Sequence, residues 1–121
     1  MNVAILGASN KPERYSNQAL HLLEEHGHAV FPVHPALADI DGHPVFKTLA
    51  DIPDPVHTVT LYVSPAHSTG MADAILAAQP SRVIFNPGTE NPALESRLAA
   101  AGIVTVQACT LVLLRTGQFG S

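Results

Sequence analysis

Val3-Ala4-Ile5-Leu6-Gly7-Ala8-Ser9-Asn10-Lys11-Pro12-Glu13-Arg14-Tyr15-Ser16 is the stretch whose reading decides the fold. The apolar run from Asn2 to Leu6 carries no alternation, which is the pattern of a parallel strand buried on both faces. Gly7 ends it, and a turn of small residues follows. Ser16 then predicts a helix cap, with the helix running from about Asn17 to His26. A turn between a strand end and a helix start gathers unpaired backbone N–H groups at the positive end of the helix dipole, where anions bind. Lys11 and Arg14 stand inside this turn and are two of the chain's six Lys and Arg residues. Gly7, Ala8, Ser9, Lys11, Arg14, Tyr15 and Ser16 are therefore candidate ligand contacts.

The pattern repeats outward from this corner. Gly27 suits the end of the first helix. His28 to Val33 reads as a second strand, stopped by Pro35. Residues 36–55, rich in Pro and Asp, read as a connection with one short edge strand or turn. His57 to Val63 is a third strand. Ser64 as N-cap and Pro65 at the first helical position open a helix that runs to about Gln79. Arg82 to Phe85 is a fourth strand, ended by Asn86-Pro87-Gly88. Asn91-Pro92 opens a helix with Leu94, Leu98 and Ala101 turned inward and Gly102 closing it. Ile103 to Val106 is a fifth strand, and the apolar tail Thr110 to Leu114 packs back on the sheet. Strands alternating with helices over short connections predict an α/β fold, a Rossmann-like doubly wound, mostly parallel five-stranded sheet with helices on both faces. In such sheets ligands sit beyond the carboxyl ends of the strands. That adds Pro32, Val33, His34, Pro35, Ser64, Pro65, His67 and Asn86 to the candidates.

Bulk properties bound the function. The 121 residues fit a single domain, and 46% hydrophobic against 13% charged residues describes a packed chain. A net charge of −4 and the absence of Trp speak against nucleic acid as a partner. One cysteine, Cys109, allows no intrachain disulfide and suits a reducing compartment. No export signal or membrane-length apolar run is evident, so a soluble, cytoplasmic protein is expected.

The first turn is not a standard nucleotide motif. Ser9 and Pro12 stand where Gly-x-Gly-x-x-Gly needs glycine, and no Gly-Lys-Ser/Thr follows. His34 and Pro35 occupy the place of the acid that would hold an NAD ribose. An ordinary nicotinamide dehydrogenase is thus disfavoured.

Taken with Leu22-Leu23-Glu24-Glu25-His26-Gly27-His28-Ala29-Val30-Phe31-Pro32-Val33-His34-Pro35, the opening stretch resembles the CoA-binding domain family. These are small proteins similar to the N-terminal domain of the succinyl-CoA synthetase alpha subunit. The likeness continues through Ile40-Asp41-Gly42-His43-Pro44-Val45-Phe46, Leu49 to Pro53, and Gly102 to Cys109. It implies a Rossmann-like fold that binds coenzyme A or an acyl-CoA. By position, Gly7, Ser9, Lys11 and Arg14 would meet the phosphates, and Pro32, Val33 and Pro35 would line the adenosine side. Family members commonly carry Asn or Ser where His34 stands. The phosphorylated histidine of the synthetase belongs to a second domain, so its chemistry does not carry over.

Other features have plainer readings. Ser64 to His67 could wall a nucleotide or reach a pantetheine arm. Glu90 in a helix's first turn answers the dipole more readily than it acts as a base. Cys109 has no basic neighbour in sequence to activate it. His21, Glu25, His26 and His28 lack metal-ligand spacing and read as a solvated face. No catalytic constellation emerges. The expectation is a non-covalent binding module for a small nucleotide ligand, with the apolar tail offering a surface for a homodimer. The alternatives are a small NAD(P)-linked or acyl-CoA-handling enzyme using Glu90 or His67, and an empty scaffold kept for protein contacts.

Overall fold

The structure, a computed structural model, describes residues 1–120. Its centre is β1 (Asn2–Leu6), which pairs in parallel with β2 (Ala29–Val33) on one side and β5 (Thr58–Leu61) on the other. Two further parallel strands, β6 (Arg82–Phe85) and β7 (Val104–Gln107), complete a five-stranded sheet of order β2-β1-β5-β6-β7. Strand order reverses between β1 and β5, which makes that junction the switch point of the sheet.

The period of two along each strand feeds two cores. Val3, Ile5 and Ile84 pack under α1 (Tyr15–Glu25) and α5 (Thr110–Arg115), against Leu20, Leu23 and Leu114. Ala4, Leu6, Val59, Leu61, Val83 and Phe85 face the other way, onto Ile75 of α3 (Ala72–Ala78) and Leu94 and Leu98 of α4 (Pro92–Ala100). The apolar tail is thus α5, laid beside α1 with Leu111 and Leu114 buried. Helices cover both faces.

Several boundaries differ from the sequence reading. Helix α1 begins at Tyr15 with Arg14 at its N-cap and no side-chain cap, so Ser16 lies in the first turn and is not the cap. The cause is local: Arg14 N donates to Lys11 O at 3.0 Å, and this turn delivers the chain to the helix two residues early. The helix expected to run unbroken to Gln79 is split into α2 (Pro65–Ser68), a 3-10 turn (Thr69–Met71) and α3. Thr69 Oγ1 donates back to Pro65 O at 2.9 Å, and the Asn91 side chain donates to Ser68 Oγ at 2.9 Å and to Thr69 Oγ1 at 3.1 Å, clamping the break. Ala101 is exposed because α4 ends at Ala100. The connection at 36–55 holds a hairpin, β3 (Asp39–Ile40) and β4 (His43–Pro44), and a 3-10 turn at Leu49–Asp51. Asp41 and Gly42 both have positive φ (49° and 86°), the twist that a two-residue hairpin demands. No helix among the described residues is long and apolar enough to cross a membrane.

Candidate functional site

The carboxyl ends of β1, β2 and β5 open into a cleft of about 760 Å³. Its floor is Gly7, which leaves β1 with φ of 89°. A Cβ there would lie 2.8 Å from Val63 Cγ1 and 3.0 Å from the Tyr62 carbonyl carbon and oxygen, so only glycine lets the turn cross the end of β5 this closely. Ala8 N donates to Val33 O at 3.2 Å and Tyr62 N to Leu6 O at 2.8 Å, fixing the turn to both neighbouring strands.

Above this floor the turn presents donors. Lys11 N bonds Ser9 Oγ at 3.1 Å. The peptide N–H groups of Ser9, Asn10, Tyr15 and Ser16 have no hydrogen-bond partner among the described residues. Those of Tyr15 and Ser16 belong to the open first turn of α1, where the helix dipole is positive. Lys11 and Arg14 line the same cleft, are exposed, and take part in no ion pair among the described residues. In a chain of net charge −4, this is a local concentration of uncompensated positive charge.

A buried amide holds the turn in place. Asn17, 3% exposed, donates from Nδ2 to Ser9 O at 2.9 Å and to Asp41 Oδ2 at 3.0 Å. Asp41 also meets His21 Nε2 at 2.8 Å. The hydrogen bond from Asn17, then that from His21, keeps the Asp41 carboxyl below its ordinary pKa. The β3–β4 hairpin is thereby tied to the turn. From sequence Asn17 counted only as part of the helix start, not for its side chain. Its signal was a polar residue one helical turn before Leu20, on the apolar stripe.

The facing wall comes from β2 and β5. His34 Nδ1 accepts the N–H groups of Ala36 at 3.0 Å and Leu37 at 3.1 Å. This is the local turn that an Asn or Ser side chain builds, made here by an imidazole. In the neutral ring the proton then sits on Nε2. Ser64 Oγ and His67 Nδ1 share a hydrogen bond of 2.9 Å, and this, rather than a side-chain cap, is what Ser64 contributes at the start of α2. Tyr62, also absent from the candidates, supplies part of the wall. Its hydroxyl is buried without a partner, and burial pushes the phenol up to about 12.

The cleft therefore gathers Gly7, Ala8, Ser9, Lys11, Arg14, Tyr15, Ser16, His34, Pro35, Ser64 and His67. It leaves out four candidates. Pro32 and Val33 are buried within β2, and Pro65 lies outside the lining. Asn86 is 2% exposed and spent on the scaffold: Nδ2 donates to Thr60 Oγ1 at 2.7 Å and Leu61 O at 2.8 Å, while Oδ1 accepts Thr110 N at 2.9 Å. Glu90 likewise accepts the N–H of Gly88 at 2.9 Å, and Cys109 is the half-buried N-cap residue of α5.

The pattern described as CoA binding domain matches residues 1–115. The chain belongs to the CoA-binding domain family. A crystal structure of an uncharacterized protein is 40% identical, with a TM-score of 0.92 over 98% of this chain and 97% of that one. The fold alone is shared with the dinucleotide-forming acetyl-coenzyme A synthetase 1 of Ca. Korarchaeum cryptofilum, solved with phosphate and ADP. That match has 23% identity and a TM-score of 0.75 over 88% of this chain but 25% of the synthetase. The uncharacterized protein YneT of Bacillus subtilis (strain 168) is 24% identical over 74 residues, 61% of this chain and 55% of YneT. The chain thus spans about half the length of that curated relative. In this family member the switch-point cleft is bounded by one turn rich in free donors and one wall of imidazole, hydroxyl and proline.

Proposed function

We propose that this chain binds coenzyme A or an acyl-CoA non-covalently in the switch-point cleft. The observation that carries this reading is the turn 7–16. Four unpaired peptide N–H groups, two of them in the first turn of α1, and two unpaired cations line a cleft floored by a glycine that no other residue can replace without a clash. Coenzyme A carries a diphosphate, and charge-assisted bonds to phosphate are about twice as strong as neutral ones. Membership in the CoA-binding domain family supports the same ligand. Of the groups considered for chemistry, Glu90 is engaged with the N–H of Gly88. The Ser64–His67 pair stands in the wall, where it can contact the pantetheine arm.

The test is calorimetric titration with coenzyme A, NAD and ATP in parallel. Heat selective for coenzyme A is expected. A preference for NAD moves the assignment to an oxidoreductase, and silence from all three leaves an empty scaffold.

A further inference from the structure

Ser64 and His67 meet where β5 hands over to α2. A serine at a helix N-cap ordinarily turns its oxygen onto the peptide N–H of the second or third helical residue. Here the Ser64 side chain caps nothing. His67 N, third in the helix, already donates to Ser64 O at 2.9 Å, as does Ser68 N at 2.9 Å, so the hydroxyl is released from that task. It is turned instead onto His67 Nδ1 at 2.9 Å, its one partner among the described residues. Pro65 holds the arrangement: it keeps Ser64 extended, with ψ of 159°, and begins the helical turn that brings His67 round.

The pair stands on the cleft itself. Ser64 and His67 line the same space as Gly7, Lys11 and Arg14, and both are exposed. The turn after β1 passes so close to Tyr62 and Val63, the two residues before Ser64, that only glycine fits. A ligand whose phosphates rest on that turn therefore has the pair beside it. With the His67 proton on Nε2, Nδ1 accepts from the Ser64 hydroxyl, which is the relation of a nucleophile to its base. The peptide N–H of Ser64 has no partner among the described residues and is free to meet a developing oxyanion. No third residue among those described holds Nε2, so the pair is a dyad.

We propose that Ser64 accepts the acyl group of a bound acyl-CoA, with His67 as its base. The inference rests on the binding function proposed above and adds a reaction to it. The Ser64 oxygen attacks the thioester carbonyl while its proton passes to His67 Nδ1. The C–S bond then breaks, and the coenzyme A sulfur leaves as the thiol with that proton. The acyl group stays on Ser64 as an ester until water, giving a proton to the same nitrogen, releases it as the carboxylic acid. Esterification removes the hydroxyl that oriented the imidazole, and nothing else among the described residues holds the ring. The second step is therefore the slower one, and the ester accumulates.

The experiment incubates the full chain with acetyl-CoA, follows coenzyme A release by chromatography, and maps the acetyl group by mass spectrometry after acid quenching. A burst of about one coenzyme A per chain is expected, with the acetyl group on Ser64. Ser64→Ala should abolish the burst, and His67→Gln should slow it by about 100-fold or more. Both side chains are exposed, so the variants keep the wild-type melting temperature. Calorimetry with coenzyme A runs beside this assay. If the wild type binds coenzyme A but acetyl-CoA leaves no group on Ser64, the reaction is overturned while binding stands. An acetyl group found on Cys109 instead, or a burst that survives Ser64→Ala, overturns it equally. If the wild type does not bind coenzyme A, the binding function itself fails and this inference with it.

Discussion

Two strand ends on the same edge of the sheet treat their polar groups in opposite ways. After β1, the turn Gly7–Ser16 leaves the peptide N–H groups of Ser9, Asn10, Tyr15 and Ser16 and two cations without partners. After β6, the turn Asn86–Asn91 spends nearly everything it has. Asn86 makes three side-chain bonds, Thr89 Oγ1 donates to Asn86 O at 2.7 Å, Glu90 accepts Gly88 N, and Asn91 caps α4 through Leu94 N at 3.2 Å. Both turns are rich in the residues that sequence reasoning associates with ligands. The difference lies in where the hydrogen bonds go: groups satisfied internally hold a scaffold together, and groups left open on a concave surface are available to a ligand.

Each change that breaks one turn and spares the other tests this contrast. Gly7→Ala should do the most damage, because the new Cβ meets Val63 and the Tyr62 backbone at a positive φ. Strain and overpacking together point to a loss of about 2–4 kcal/mol in urea unfolding, with ligand binding lost as well. Asn86→Ala should cost about 2–4 kcal/mol too, since it strips partners from buried groups, but coenzyme A affinity measured on the folded fraction should stay within about twofold. A large fall in affinity there would mean that Asn86 reaches the ligand after all.

Lys11→Ala combined with Arg14→Ala should reverse that profile. Stability moves within about 0.5 kcal/mol, as for exposed residues outside any network. Affinity for coenzyme A falls by about 10- to 100-fold, and the remaining binding loses much of its salt dependence. Unchanged affinity in the double variant would dismantle the cradle.

The smallest effect concerns the hairpin that supports the turn. Burial draws the His43 pKa down, but the hydrogen bond from Nε2 to Glu24 Oε2 at 2.6 Å and the charge of that carboxylate outweigh this, and the net shift is upward. A raised native value means that the pair's contribution is fully present below about pH 6.5 and fades as pH climbs through the native value. His28 and His57 shift downward, chiefly through burial, and work in the opposite sense. The difference between wild type and His43→Gln isolates the pair. Wild type should be the more stable by up to about 1 kcal/mol at about pH 5.5 and equal at about pH 8.5 in urea midpoints. A gap that widens toward alkaline pH would reverse the sign of this linkage.

Much of this was legible in the chain. Short runs of β-formers, unbroken in β1 and alternating in β5, gave the five strands, Gly27 the end of α1, and Ser64-Pro65 and Asn91-Pro92 the helix starts. Local composition and period suffice for such features, because they depend on residues a few positions apart. Helix α1 resisted: the Lys11–Arg14 turn, not Ser16, begins it. The division of labour between Asn86 and Asn17 was also hidden. Both are amides in suggestive places, yet one ties the end of β6 to β5 and α5 and the other anchors the cradle, across sequence separations of 24 to 26 and of 8 to 24.

What the order of residues determined by itself was the kind of fold, the corner of it that favours an anion, and the two cations placed there. Tertiary structure alone decided which donors stayed open, that Tyr62 lines the cleft, that Asn17 anchors its turn, and that Phe46 bridges to Val33 at the end of β2. The physical reason is that propensity and periodicity act over one or two turns of chain. Whether a polar group is free is settled by partners that only folding brings within about 3 Å.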